Sequence, residues 1–177
     1  MSDLFTGILQ AGIARGAAPG ACMTIVGPER TLWEGGAGER SAGSGTLMSA
    51  DTVGASFSMT KAITTVAAMQ LVERGLLSLD APASDVIPWL GDVEVLEGFD
   101  DAGVPLTRQA RSPVTLRNLL THTSGFSYEI WNQKEDTWRE KTGTHSMMTS
   151  HDAALRAPLA FDPGTAWEYG IGIDWVG

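Results

Sequence analysis

Ser58 and Lys61 stand three positions apart at the opening of the most apolar helical stretch of this sequence, Ser58 to Val72. On a helix that spacing puts a hydroxyl and an amine on one face. A serine hydroxyl is a poor nucleophile until a neighbouring base takes its proton, and a lysine made neutral by burial can be that base. The unpaired amides at a helix start add a positive field, which favours negative charge developing on the serine oxygen. The four residues Ser58-Met59-Thr60-Lys61 also fit a plainer description, with Ser58 as an N-cap and Lys61 as a side chain snorkelling from the first turn.

The element that carries this pair is expected to be buried. Apolar residues at 59, 62, 63, 66, 69 and 72 follow helical spacing, and the other side holds only Thr, Ala and Gln. Such a helix, apolar nearly all round, belongs inside a protein. Lys61 is the only charge between Ser58 and Val72, so it is either led out to solvent or desolvated with a lowered pKa. Gly75 ends the helix. Upstream, residues 4 to 15 carry an amphipathic pattern closed by Gly16 and Pro19-Gly20. Cys22–Val26 and Thr31–Glu34 then read as two strands joined by Gly27-Pro28-Glu29-Arg30. Gly35 to Arg40 match no phosphate-binding pattern and read as a strand end or bulge. Downstream, Ser84 to Leu90 reads as a brief helix interrupted at Pro88, and Gly91 to Ser112 as an acidic, irregular surface segment. Thr115 caps a compact helix through Leu119 and Leu120. Residues 126 to 151 read as loop with short helices, and another helix begins after Tyr169-Gly170.

Composition narrows the function classes. The chain has 177 residues, is 43% hydrophobic and 19% charged, and carries a formal net charge of -9, which suits a globular protein. The acidic balance without a basic cluster argues against nucleic acid. Cys22, the single cysteine, excludes an internal disulfide and sits in a strand-like run where an inert buried thiol is expected. No apolar run reaches membrane-spanning length, and the start lacks a basic region followed by an apolar core, so a cytoplasmic protein is expected. His145 and His151 lack a carboxylate pattern for a metal site, and His122 reads as a hydrogen-bonded structural histidine. No metal or cofactor is expected.

Three stretches occur in an order that resembles one family. They are Ser58-Met59-Thr60-Lys61, Leu119-Leu120-Thr121-His122-Thr123-Ser124-Gly125, and Phe161-x-Pro163-Gly164-x-x-Trp167-x-Tyr169-Gly170. The set is similar to the serine β-lactamase-like esterases, the family VIII carboxylesterases related to class C β-lactamases and D-Ala-D-Ala carboxypeptidases. The resemblance implies an α/β (α+β) fold of the β-lactamase/penicillin-binding-protein transpeptidase type, an antiparallel sheet plus a helical region. Residues 1–55 would hold the N-terminal helix and first strands, and 56–177 the nucleophile helix and helical region. A C-terminal strand that supplies an oxyanion amide has no counterpart after Tyr169. Only the N-terminal part of the fold is therefore expected, with a C-terminal remainder of the same protein as a partner.

The resemblance also implies roles. Ser58 would attack the ester carbonyl, Lys61 would accept its proton, and Tyr169 would relay a proton to the leaving alcohol. A phenolate beside a lysine cation is stabilised, so the two can share one mobile proton. Where class C enzymes have Tyr-x-Asn, this chain has Ile171, which favours ester over lactam hydrolysis. Phe126, Tyr128 and Trp131 either line the substrate pocket or pack internally. The expected activity is hydrolysis of small carboxylic esters through an acyl-enzyme on Ser58. The alternatives are a β-lactamase or D-amino-acid peptidase, and a non-catalytic penicillin-binding-like module.

Overall fold

The computed structural model of the protein describes residues 2–149 and 151–177, and the chain divides into two compact units, Met1–Ser56 and Phe57–Gly177. In the first unit, helix α1 (Ser2–Ala14) precedes an antiparallel hairpin of β1 (Gly20–Val26) and β2 (Thr31–Gly38). Ile25 pairs with Trp33 and Gly20 with Gly38, and the Phe5 ring of α1 lies 5.5 Å from that of Trp33. Strand alternation half-buries Ala21, Met23 and Ile25 and exposes Cys22, Thr24 and Val26. Cys22 is therefore an exposed thiol, not the buried one expected, because the pleat puts it on the outer face. The Gly35–Gly38 run is part of β2 itself. A Cβ at Gly36 would overlap the Met48 backbone, so glycine there permits two backbones to meet.

In the second unit a 3-10 turn, Phe57–Met59, leads into α2 (Thr60–Glu73). Gly75, at φ +70°, follows its end in the left-handed conformation that glycine adopts freely. The segment expected to wander from Gly91 to Ser112 instead forms a second antiparallel hairpin, β3 (Glu94–Phe99) with β4 (Pro105–Gln109). Val93, Val95 and Leu96 are buried there, which supplies the driving force that the acidic composition hid. Two 3-10 turns, Ala83–Asp85 and Pro88–Gly91, fit the interrupted helix read from the sequence. Helix α3 (Leu116–Leu120) starts at a capping box, Thr115 accepting from the Asn118 amide and Asn118 answering the Thr115 N–H. Helix α4 (Gln133–Thr142) is longer than the short helices expected, with Asn132 as its cap and Gly143 at φ +68°. The last turn, Ile171–Trp175, is 3-10.

The core of this unit is Leu90, Val93, Val95, Val114, Leu119, Phe126, Leu159 and Ile171. Burying each such side chain contributes roughly 1.5–3 kcal/mol, so the stability of the unit rests on this cluster. Helix α2 stands apart from it. Ala68 is its one buried residue, while Ile63 is 69% and Val66 59% exposed. The expectation of a helix packed on all sides is thus corrected. Composition without a polar face says that a helix tolerates burial, whereas burial itself is set by how much chain packs against it.

Candidate active site

Ser58 sits in the 3-10 turn that opens α2, and Lys61 sits in the first turn of the helix. Met59, not Ser58, occupies the N-cap position and makes no side-chain cap bond, so the plain capping description of Ser58 fails. Phe57 holds φ +44°, a backbone conformation that non-glycine residues rarely adopt. Strain of this kind beside a candidate nucleophile fits a site where the turn's shape matters more than its stability. Ser58 and Lys61 face a common open cleft of about 780 Å³, whose wall includes Tyr128, Trp131, Tyr169 and Asp174.

Lys61 meets groups from several segments of the chain in that cleft. Its Nζ donates to the Tyr128 hydroxyl at 3.1 Å and lies 3.6 Å from Asp174 Oδ2 and 5.6 Å from the centre of the Tyr169 ring. Partial burial pulls its pKa down, but the Tyr128 hydrogen bond, the Asp174 carboxylate and the two phenols together raise it above the ordinary lysine value. The lysine neutralised by burial is therefore not what this environment favours; Tyr128 and Asp174 favour the ammonium form of Lys61. Burial likewise pushes the Tyr128 phenol up, against the opposing pull of Lys61.

Tyr169 reaches the cleft from the far end of the chain, and its backbone is held on both sides. The Glu168 N–H donates to the His122 carbonyl at 3.0 Å, the Gly170 N–H to His122 Nδ1 at 3.4 Å, and Trp131 Nε1 to the Tyr169 carbonyl at 3.0 Å. The Glu168 carboxylate accepts from Ser127 Oγ and, at 2.7 Å, from Asn132 Nδ2. A Cβ on Gly170 would overlap the Phe126 carbonyl, which explains glycine directly after the tyrosine. His122 itself sits at φ +58° with its ring 4.5 Å from that of Tyr169. Burial and the nearby Lys61 charge lower its pKa, against a smaller opposing pull from Asp174, so the imidazole stays neutral and Nδ1 remains an acceptor.

Of the residues singled out in the sequence, Ser58, Lys61, Tyr128, Trp131 and Tyr169 share the cleft. Phe126 does not. It is 1% exposed and its ring stacks with those of Trp89 and Trp175, so it packs the core instead of lining a pocket. Two groups escaped the sequence reading. Asp174 is the sole charge between Glu168 and Gly177; a lone carboxylate in one apolar segment and a lone amine in another are natural partners, and that signal was readable. Arg139 was the other. Its guanidinium, 4% exposed, takes Glu135 Oε1 at 2.7 Å, Glu129 Oε2 at 3.5 Å and the Ala154 carbonyl at 3.0 Å. Glu129 in turn accepts the Met147 amide at 3.0 Å, so this buried network holds the Met147 and Leu155 side of the cleft. Among the described residues no group of three or more His, Cys, Asp or Glu is placed to hold a metal ion, and no helix is long and apolar enough to cross a membrane.

The sequence model of a family described as Beta-lactamase matches residues 5–172. A lovastatin esterase of Penicillium rubens is 43% identical over 122 residues, 68% of this chain and 31% of that protein. A monacolin J acid methylbutanoyltransferase of Aspergillus terreus is 43% identical over 128 residues, covering 68% of this chain and 29% of its own length. The unliganded structure of simvastatin synthase (LovD) from Aspergillus terreus superposes with a TM-score of 0.84 at 32% identity, over 99% of this chain and 47% of that one. The chain thus spans about a third of the length of these curated relatives and just under half of the solved structure.

Proposed function

The chain belongs to the Beta-lactamase family, and from that premise we propose that it carries the nucleophile half of a serine hydrolase that cleaves small carboxylic esters through an acyl-enzyme on Ser58. The observation that carries the reading is the meeting of Ser58, Lys61 and Tyr169 on one cleft, with the Lys61 nitrogen 5.6 Å from the Tyr169 ring. In the proposed reaction the form in which Lys61 has lost its proton is the reactive one: Ser58 Oγ attacks the ester carbonyl carbon as its proton passes to Lys61 Nζ, and the Tyr169 phenol relays a proton between that nitrogen and the leaving oxygen. That proton leaves with the alkoxide as the alcohol; a water then attacks the acyl carbon and gives one proton to the pair, which returns it to Ser58 Oγ as the acid is released. The positive helix end at Ser58 favours the charge that develops on the way.

Ester chemistry is favoured over lactam or peptide hydrolysis by position 171. Ile171 is fully buried in the core, so no side-chain amide from that position faces an acyl-amide group. The names of the relatives support a second reading of the deacylation step, in which an alcohol takes the acyl group in place of water. Intact-mass measurement after a fluorophosphonate probe tests the common first half: one adduct is expected, lost in Ser58→Ala. An adduct that persists in Ser58→Ala would end this proposal. Product analysis with an added bulky alcohol separates the two endings, because transfer yields a new ester and hydrolysis only the free acid.

A further inference from the structure

Three polar groups close a triangle beside the candidate nucleophile. Lys61 Nζ donates to the Tyr128 hydroxyl at 3.1 Å, that hydroxyl donates to Asp174 Oδ2 at 3.5 Å, and Oδ2 lies 3.6 Å from Nζ. A phenol has one hydrogen, and here it is directed to the carboxylate, so the phenol oxygen can only accept from the lysine. The lysine nitrogen has limited valences too. One N–H goes to Tyr128 and a second direction is turned toward Asp174, which leaves a single direction for the rest of the cleft, where Ser58 and Tyr169 stand.

We infer that Asp174 and Tyr128 are positioning residues for Lys61, forming a clamp that fixes two valences of its nitrogen and aims the third at the reacting groups. This rests on the proposed acyl transfer at Ser58 and adds to it how the lysine is oriented. The consequence holds in both protonation states. In the ammonium the third direction carries an N–H; in the amine it carries the lone pair, since the clamp takes up the two N–H groups that remain. A proton arriving from Ser58 or Tyr169 therefore enters and leaves along one line. Without the clamp a lysine side chain rotates about its terminal bonds, and the lone pair meets the serine hydrogen only part of the time. The Lys61 side chain is 16% exposed and that of Asp174 37%, so the lysine is the shielded end of the pair.

The clamp has a titration consequence. The groups that face Lys61 are Tyr128 from the segment after α3, Asp174 from the last 3-10 turn, Tyr169 ahead of that turn, and His122, which feels the Lys61 charge. His151 and Asp152 lie on the same cleft wall. Asp174 is the carboxylate in ion-pair contact with the ammonium, so its loss favours the amine and moves the Lys61 ionisation to lower pH.

The test is the rate of fluorophosphonate labelling of Ser58 against pH. In Asp174→Asn, which keeps size but not charge, the alkaline limb of the profile is expected at lower pH than in the unchanged protein. Asp174→Glu is expected to return it toward the original position. Tyr128→Phe, which removes the hydroxyl at the apex, is expected to move the limb in the same direction as Asp174→Asn. A limb that stays in place in both Asp174→Asn and Tyr128→Phe, even with a uniformly lower rate, would overturn the clamp and leave Ser58 as nucleophile. Absence of labelling in the unchanged protein would overturn the Ser58 reading itself, and the clamp with it.

Discussion

On one wall of the cleft, Ser58 and Lys61 are spaced by the geometry of a single helix start, on an α2 that buries only Ala68. On the other, Tyr169 is followed by Gly170, Ile171 and Gly172, all buried; its own carbonyl accepts from Trp131, and its neighbours Glu168 and Gly170 bond to His122, Ser127 and Asn132. The contrast shows two ways to place a reacting group. A hydroxyl and an amine three residues apart need only local backbone shape. A phenol brought to that amine from the far end of the chain needs a network of tertiary bonds. The first wall should therefore be sensitive in chemistry and tolerant in stability, and the second sensitive in both.

The largest effect is expected on the helix wall. Ser58→Ala lowers ester turnover by about a thousandfold or more, with the thermal midpoint unchanged because the side chain is exposed; steady-state kinetics and a melting curve read both. On the opposite wall Tyr169→Phe keeps the ring contacts and lowers kcat by about a hundredfold. Equal loss of stability in that variant would mean that the hydroxyl is structural. A matched pair of backbone changes then separates the walls directly. Gly170→Ala drives a methyl into the Phe126 carbonyl and the Ser127 backbone and costs roughly 2 kcal/mol in urea unfolding. Ala62→Gly on exposed α2 costs about 1 kcal/mol, the propensity difference alone. A reversed order would refute the division between local and tertiary support.

The smallest effect concerns acid stability of the tyrosine wall. Asp162 opens the segment that ends at Tyr169, accepts two bonds from Arg108 at 2.8 Å and takes the Arg111 amide at 2.9 Å. The Arg108 hydrogen bonds hold its carboxyl down at about 2. A depressed carboxylate pKa adds stability above the usual carboxylate range, and that contribution is lost as pH falls through about 2. Asp162→Asn should flatten the acid limb of the melting temperature against pH; an unchanged limb would remove Asp162 as its cause.

The legible parts of the fold were those whose cause is local. Thr115 with Asn118, Gly75, and the three-residue step from Ser58 to Lys61 all act within a turn of helix. The β3–β4 hairpin was not legible because its register shifts between Leu96 and Gly98, so the alternation begun by Val93 and Val95 breaks at Glu97. Phe126 could not be told from a pocket residue by its neighbours in sequence, since its stacking partners Trp89 and Trp175 lie on either side of it in the chain and far from it. The charge state of Lys61 also depended on distant groups. Burial alone argued for an amine, and Tyr128 and Asp174 reversed the balance.

His122 gives both of its acceptors to the residues on either side of Tyr169, the carbonyl to Glu168 and the ring nitrogen to Gly170. Two amides that depend on one residue open in one event. Their hydrogen exchange should share a single opening free energy, and a ligand that displaces the Tyr169 backbone must break both bonds to His122. The backbone that carries the phenol is thus coupled mechanically to the histidine turn.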